Sequence, residues 1–277
     1  MNRLDKVKIG VVAPAARLEP ATAERVTTLA TAAFAGRAEV VFHPQCFLSA
    51  GHFAGDDNAR AGAFLEFAND PGFTHVWFAR GGYGSGRIVP SVLDGLTAAA
   101  KNKTYLGYSD GGFLLAAFYK KGFRVAHAPI PHDIRRIGGE AAVTRALAWM
   151  INGTREALEP SIDHVHPVVA FNLTILSMLV GTPWMPDLRG HVVMIEEVSE
   201  HLYAIDRLLA HVTSSDEIRL VAGLRLGRTS DVPDNDPPFG QTPEEIVRHW
   251  CGVSGIPFLG LADIGHDSGN KVVPFGR

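Results

Sequence analysis

Short apolar runs alternate with segments of helical period through the first half of the chain. The runs are rich in β-branched and aromatic residues, which favour buried strands. Two parallel strands need a crossover connection, usually a helix, so the alternation is typical of βαβ units and predicts an α/β fold. The predicted strands cover residues 7–12, 39–42, 74–78, 105–108 and 125–128, and the predicted helices cover residues 21–34, 57–68, 88–96 and 140–151.

A smaller second half follows a stretch without clear periodicity. Residues 153–168 contain a glycine and two prolines and are predicted to form a linker. We therefore predict two domains, an N-terminal one over residues 1–152 and a C-terminal one over residues 169–277. In the second domain the predicted strands cover residues 191–195, 218–224 and 258–261, and the predicted helices cover residues 173–179, 204–212 and 244–251.

Composition excludes several classes of partner. The formal net charge is −3 and the basic residues are scattered, so we expect neither a nucleic acid nor an anionic membrane as partner. Charged residues or Gly and Pro interrupt every apolar stretch well short of the roughly 20 residues of a membrane span, and Asp5, Lys6 and Lys8 interrupt any signal peptide. The two cysteines, Cys46 and Cys251, fit a reducing compartment. We expect a cytoplasmic protein.

The segment Gly-Tyr-Ser-Asp-Gly at residues 107–111 joins a predicted strand to an apolar segment of helical length. Ligands of open α/β sheets bind at the carboxyl ends of strands, so Ser109 lies where chemistry is usually done. The flanking glycines give the spacing of a nucleophile elbow, and N–H groups at the start of the next helix would stabilise an oxyanion. A serine that merely caps the helix would have the same pattern, so spacing alone leaves both interpretations open.

A serine nucleophile needs a base that takes its proton and an acid that orients the base. His266 lies in a glycine-rich loop after the last predicted strand, and loop histidines on a rigid scaffold are often functional. Glu196 and Glu197 follow an apolar strand. Adjacent side chains of a strand point to opposite faces, so only one of these glutamates can enter a site. A solvated strand end would explain both glutamates equally well.

The other histidines considered have structural explanations. His164 and His166 form a His-x-His pair, but no carboxylate or cysteine set at ligand spacing accompanies them, and HExxH is absent. We therefore expect no metal and no cofactor. Four further histidines lie in or beside predicted strands and helices: His43, His75, His191 and His249.

Several blocks of sequence occur in a characteristic order. They are IGVVAPA near the start, GHFAGDDNAR at 51–60, ARGGYGSGRIVP at 79–90, GYSDG at 107–111, IEEVSEHLYAIDRLL at 195–209 and GHDSGNKVVPFG at 265–276. Through these blocks nearly the whole chain resembles the LD-carboxypeptidase family of serine peptidases, also called muramoyltetrapeptide carboxypeptidases. The resemblance implies an N-terminal three-layer αβα domain that carries the serine on its elbow. It also implies a smaller C-terminal α/β domain that carries a glutamate and a histidine.

The resemblance also implies the roles of single residues. The family's nucleophile falls on Ser109, its glutamate on Glu196 and its histidine on His266, with His266 as general base and Glu196 as its orienting acid. The family's oxyanion hole falls on the backbone N–H groups of Gly82 and Asp110. A glycine suits such a position because the backbone must approach the reacting carbonyl closely.

The resemblance implies a murein tetrapeptide substrate that loses its terminal D-alanine in peptidoglycan recycling. The scissile bond would join an L-centre to a D-residue, and the enzyme would be a homodimer, as its relatives are. The free C-terminal carboxylate of such a substrate suits an arginine, which pairs with it through two hydrogen bonds. Arg80 and Arg87 lie near the site in sequence, and the choice between them is open.

Three other functions compete with this interpretation. The immunity-type branch of the same family cleaves an amide in peptide-nucleotide antibiotics and would share the same three catalytic residues. An α/β-hydrolase esterase also has Gly-x-Ser-x-Gly, but the chain has no HGGG-type segment. A nucleotide-binding or sensory domain would use GGYGSG as a phosphate loop, but its spacing matches neither the dinucleotide fingerprint nor a P-loop.

Overall fold

A computed structural model describes residues 6–163 and 165–277. Asp5 and His164, which entered the sequence predictions, lie outside the described residues. Within these two ranges no helix is long and apolar enough to cross a membrane. The described residues form two mainly parallel sheets with helices packed on them.

The first sheet takes five parallel strands from the first half of the chain. They are β1 (Val7–Val12), β2 (Ala38–Phe42), β3 (His75–Phe78), β4 (Thr104–Gly107) and β5 (Arg124–His127). The connecting helices are α1 (Pro20–Phe34), α2 (Asp57–Asn69), α3 (Ser85–Gly95) and α4 (Gly112–Lys120), and α5 (Gly139–Asn152) follows β5. The spatial order β2-β1-β3-β4-β5 reverses beside β1, and such a reversal opens a crevice at the carboxyl ends of the strands.

Both faces of this sheet are covered. Trp77 of β3 packs in the apolar cluster that includes Val26 of α1 and Leu147 of α5. Its neighbour Phe78 points the other way, into the cluster that includes Phe64 of α2. Because most residues of the central strands meet one helical layer or the other, these strands are largely apolar runs. The three layers confirm the predicted α/β fold.

The second sheet has four parallel strands. They are β6 (Val168–Asn172), β7 (Val192–Val198), β8 (Gly223–Ser230) and β9 (Phe258–Leu261), paired in that order. Its helices are α6 (Leu173–Leu179), α7 (Leu202–Ser214) and α8 (Pro243–Ser254). The apolar side chains of this sheet join the cluster that also contains Phe64 and Phe78, so one continuous core connects the two sheets.

Two predicted strands of the second half have wrong boundaries. The strand predicted at 218–224 begins only at Gly223, which pairs with Val192 where the parallel ladder starts. Residues 218–222 form turns and bends, although Ile218 is fully buried, and its burial explains the misleading apolar run. The strand predicted at 191–195 continues to Val198, so both glutamates lie inside β7 rather than beyond its end.

The sequence prediction also missed two strands. β6 follows directly on the stretch predicted as a linker. The short strand β10 (Val273–Pro274) returns to the first sheet, where it pairs antiparallel with β5. Gly276 then donates a hydrogen bond to the carbonyl of Val168, the first residue of β6, at 2.9 Å. The last residues therefore connect the two sheets, and the domain boundaries at 152 and 169 stay a prediction.

Gly107 ends β4 directly before the serine turn and has no room for a side chain. A Cβ there would lie 2.3 Å from Cδ2 of the buried Phe78. We expect Gly107→Ala to lower the free energy of unfolding by about 1–3 kcal/mol, because the ring must shift in a packed core. Urea unfolding measures the change.

Gly62→Ala is the matched control, because Gly62 is exposed on α2 with open space around its Cα. We expect it to stabilise the protein by about 0.5–1 kcal/mol through helix propensity. Equal stability of the Gly107→Ala protein and the unchanged protein would contradict the tight packing at this strand end.

Candidate active site

The turn that carries Ser109 is short and strained. β4 ends at Gly107, residues Ser109–Gly111 form one 3-10 turn, and α4 begins at Gly112. Ser109 has a φ of 57°, a left-handed conformation that costs a residue with a side chain roughly 1–2 kcal/mol. Strain of this kind persists where the surrounding structure enforces it, and it is concentrated at functional sites.

Gly81 packs directly against this turn. A Cβ on Gly81 would lie 2.9 Å from Ser109 Oγ and 3.0 Å from Ser109 Cβ. Gly82 is also confined, since it has a φ of 108° and a Cβ there would lie 2.9 Å from the Cβ of Ala16. The glycines after β3 therefore let the backbone approach the serine closely.

A pocket of about 180 Å³ opens at the carboxyl ends of the central strands. It contains Ser109 and Gly82 from the N-terminal half and His266 from the C-terminal half. A larger cavity of about 670 Å³ lies at the opposite ends of the strands, beside His75 and Arg124, and includes none of the predicted site residues. The small pocket is lined by Arg80, Gly81, Gly82, Tyr108, Ser109, Ile130, His132, Asp133, Arg136 and His266.

Glu196 and His266 form a buried pair beside this pocket. Glu196 Oε2 accepts a hydrogen bond from His266 Nδ1 at 2.6 Å, and the two residues are 1% and 7% exposed. Burial alone would lower the pKa of His266, but the charge and the hydrogen bond of Glu196 outweigh it, so the pKa is raised above the ordinary value. Because Nδ1 is engaged, Nε2 is the ring nitrogen left for proton transfer.

Glu197 has different partners. Its carboxylate accepts hydrogen bonds from Asn172 Nδ2 at 2.7 Å and from the N–H and Oγ1 of Thr174 at 2.8 and 2.7 Å. It thus holds the first turn of α6. Burial raises the pKa of Glu197, although these hydrogen bonds oppose the rise. The structure therefore brings Glu196, and not Glu197, to His266.

Side chains far away in sequence hold the loop of His266. The buried Asn270 Oδ1 accepts hydrogen bonds from the N–H of Gly265 at 3.2 Å and from His127 Nε2 at 2.9 Å. Arg145 of α5 donates to the carbonyls of Asn270 and Ser268. Burial lowers the pKa of His127 to about 4, so its ring is neutral and donates through Nε2. Sequence reasoning missed these residues, although Asn270 lies in the quoted block at 265–276.

Asp110 connects the serine turn to the glycine turn after β3. Its buried carboxylate accepts hydrogen bonds from the N–H groups of Gly84 at 3.2 Å and Ser85 at 2.8 Å, at the start of α3. Ser85 Oγ donates in return to the carbonyl of Asp110. The two segments that contain Gly82 and Asp110 are therefore fixed to each other. Sequence reasoning missed this role of the aspartate side chain.

The two arginines considered from sequence differ in position. Arg80 lines the pocket, whereas Arg87 lies outside it and forms an ion pair with Asp57. Arg136, which sequence reasoning missed, also lines the pocket. The structure therefore separates the candidates for carboxylate binding by location.

Known proteins give the class of this chain and then its family. The LD-carboxypeptidase N-terminal domain matches residues 9–128, and the LD-carboxypeptidase C-terminal domain matches residues 167–277. The fold and these matches define a peptidase. The chain belongs to the LD-carboxypeptidase family of serine peptidases, which confirms the resemblance found in the sequence.

Curated relatives and solved structures agree with this family. A protein of Synechocystis sp. named as a carboxypeptidase is 30% identical over 86% of this chain and 79% of its own length. The murein tetrapeptide carboxypeptidase of Pseudomonas aeruginosa is 26% identical over 75% of this chain and 72% of its own length.

Two solved structures have the same fold. The muramoyltetrapeptide carboxypeptidase from Oxalobacter formigenes has a TM-score of 0.79 at 24% identity, covering 96% of this chain and 93% of its own. The microcin C7 self-immunity protein MccF has a TM-score of 0.76 at 19% identity, covering 99% of this chain and 96% of its own. The fold is therefore common to this chain, a muramoyltetrapeptide carboxypeptidase and MccF.

The contacts of Glu197 predict a structural role for this residue. We expect Glu197→Ala to lower the free energy of unfolding by about 1–3 kcal/mol, because Asn172 and Thr174 lose their buried acceptor. Chemical unfolding measures the loss. Glu200→Ala is the control, since Glu200 is a nearby glutamate whose side chain makes no hydrogen bond within the described ranges. A loss of equal size in both variants would contradict the assignment.

Proposed function

We propose that this enzyme hydrolyses the bond between the L-centre and the terminal D-alanine of murein tetrapeptides. One observation carries the proposal. Ser109 and His266 line the same pocket, and His266 is hydrogen-bonded at 2.6 Å to the buried Glu196. Base and orienting acid thus lie beside a strand-end serine, which is the arrangement that activates a hydroxyl nucleophile.

The chemistry proceeds by acyl transfer to Ser109. His266 Nε2 accepts the hydroxyl proton as Ser109 Oγ bonds to the scissile carbonyl carbon, and Glu196 stabilises the imidazolium through Nδ1. The imidazolium then gives this proton to the leaving amine as the C–N bond breaks. Water, deprotonated by the same histidine, hydrolyses the ester and restores the Ser109 hydroxyl.

The N–H groups of Gly82 and Asp110 are proposed to stabilise the oxyanion. The close approach of Gly81 to Ser109 and the hydrogen bonds of the Asp110 carboxylate to residues 84 and 85 support this proposal. Donors held in place before the reaction cost no reorganisation when charge develops on the carbonyl oxygen.

Ser109 Oγ and His266 make no hydrogen bond within the described part of the chain. Catalytic hydrogen bonds often form or shorten only with substrate in place, so this separation is compatible with the role of both residues. The proposal places the scissile carbonyl between the serine turn and the glycine turn.

The biological setting is proposed from relatives. The relatives named for murein peptides support a murein peptide as the substrate. A role in peptidoglycan recycling, a cytoplasmic location and a homodimeric assembly are proposed from the sequence resemblance to the family. We retain the two-domain division, with residues 1–152 carrying the serine and residues 169–277 carrying the glutamate and histidine. The second candidate is the immunity-type activity, which the common fold with MccF supports.

Mass spectrometry of L-Ala-γ-D-Glu-meso-diaminopimelyl-D-Ala tests the proposed activity. We expect the unchanged enzyme to release one D-alanine and Ser109→Ala to be slower by roughly 10⁴-fold or more, because the nucleophile is absent. Ser91→Ala, at an exposed serine of α3, is the control and retains full activity.

Circular dichroism checks that each variant is folded. An intact tetrapeptide, together with cleavage of aspartyl sulfamoyl adenosine, would replace the proposed activity by the immunity-type one. Full tetrapeptide cleavage by Ser109→Ala would remove the serine from the mechanism.

The pH dependence tests the Glu196–His266 pair. The neutral form of His266 is the base, so we expect kcat/KM to rise as the pH increases through its raised pKa. Glu196→Gln removes the charge that raises this pKa, while burial continues to lower it. We therefore expect the acid limb to move to lower pH, with a lower maximal rate.

An NMR titration of the His266 imidazole reports the same pKa independently of turnover. Glu200→Gln is the matched control, and we expect it to leave both the acid limb of kcat/KM and the NMR titration of His266 unchanged. An acid limb and an NMR titration that are unmoved in Glu196→Gln would show that Glu196 does not stabilise the imidazolium.

A further inference from the structure

The pocket beside Ser109 is rich in positive charge. Arg80 and Arg136 both line it, and the one acidic side chain in its lining is Asp133. His132 also lines the pocket, but burial lowers its pKa to about 4, so it is neutral. Two arginines therefore line a small space that also contains the proposed nucleophile and base, and Arg80 Nη1 donates to the carbonyl of Arg17 at 3.1 Å.

Only one edge of the Arg136 guanidinium makes a hydrogen bond within the described residues. Its Nε donates to Asp133 Oδ1 at 3.2 Å. Asp133 is 1% exposed and is itself fixed, because it accepts hydrogen bonds from Tyr108 Oη at 2.7 Å and from the N–H of Ile130 at 2.9 Å. Within the described residues neither Nη1 nor Nη2 of Arg136 makes a hydrogen bond. The guanidinium is thus oriented by one hydrogen bond to a fixed carboxylate and keeps unused donors.

The chemistry of a carboxypeptidase requires an anion site at this place. His266 gives its proton to the amine of the released residue, so that amine lies next to His266. The α-carboxylate of an amino acid is separated from its amine by one carbon atom. The amine and the carboxylate must therefore occupy the same pocket. The pocket volume of about 180 Å³ is below the 300–1,000 Å³ typical of drug-sized ligands and suits one small residue.

We propose that Arg136, assisted by Arg80, binds the α-carboxylate of the amino acid that is released. The assignment rests on the proposed function. A guanidinium and a carboxylate pair through two parallel hydrogen bonds, which fix direction as well as charge. A peptide with an amide at this end leaves the guanidinium without its partner, so the site selects a free C-terminus. Asp133 and Tyr108 act as positioning residues for Arg136.

A purely structural role for Arg136 makes a different prediction. If Arg136 only neutralised the buried Asp133, its loss would affect substrates with and without a terminal carboxylate equally. The ratio of kcat/KM for the two substrates therefore separates the roles, because folding and general activity cancel in it.

The experiment compares the tetrapeptide L-Ala-γ-D-Glu-meso-diaminopimelyl-D-Ala with its C-terminal amide. We expect the unchanged enzyme to prefer the acid by roughly 10- to 100-fold, as a charge-assisted pair is worth in a partly buried site. Arg136→Met reduces kcat/KM for the acid by a similar factor, mainly through KM, and the ratio of acid to amide falls towards one. Arg136→Lys keeps the charge beside Asp133 and retains part of the preference.

Arg135→Met is the matched control, because Arg135 is the neighbouring exposed arginine and lies outside the pocket. The Arg135→Met variant removes one positive charge, as Arg136→Met does, and we expect it to keep the preference for the peptide with a free carboxylate. Two results would overturn the assignment alone. One is that both folded Arg136 variants still prefer the free acid as strongly as the unsubstituted enzyme does. The other is that the unsubstituted enzyme cleaves the acid and the amide equally well. An unchanged enzyme that cleaves neither peptide would overturn the proposed function and the assignment with it.

Discussion

The buried hydrogen bond between Glu196 and His266 is the contact around which the rest of the site is arranged. A buried carboxylate without a partner is strongly destabilising, so the fold must bring a histidine from a distant loop to β7. Glycine at position 227 allows this approach, because a Cβ there would lie 3.0 Å from the Cβ of Glu196 and 2.6 Å from Ile264. Asn270 then fixes the loop to the first sheet. The pair therefore depends on both sheets being in place.

The serine side of the site depends on a second buried carboxylate. Asp110 follows Ser109 directly, and burial raises the pKa of Asp110 against the hydrogen bonds that it accepts from residues 84 and 85. These bonds keep the glycine turn next to the strained serine, and the missing side chain of Gly81 permits this close approach. The chain thus uses polar side chains in the core to fix two turns whose backbone groups carry the proposed chemistry.

Sequence patterns predicted the first sheet well, because its strands are apolar on both faces. They failed where polar residues interrupt a strand, as Glu196 and Glu197 do in β7, and such local conflicts are expected at functional sites. They also failed at β10, which has only two residues and no period. Ser109, Glu196 and His266 were predicted from the resemblance to the family. The supporting residues Asn270, Asp133 and Arg136 were not, because their roles depend on contacts between segments far apart in sequence.

The size of the pocket bears on the choice between the two branches of the family. Arginines at 80 and 136 would pair with a carboxylate or with a phosphoryl oxygen, so positive charge alone does not separate an amino acid from a nucleotide as the released group. Volume is the further consideration, because pockets that hold drug-sized ligands usually measure about 300–1,000 Å³. The space of about 180 Å³ beside Ser109 and His266 has room for a single small amino acid, whereas a nucleotide would extend beyond it. The hydrogen bond from Tyr108 Oη to Asp133 Oδ1 connects two residues of the wall of this space.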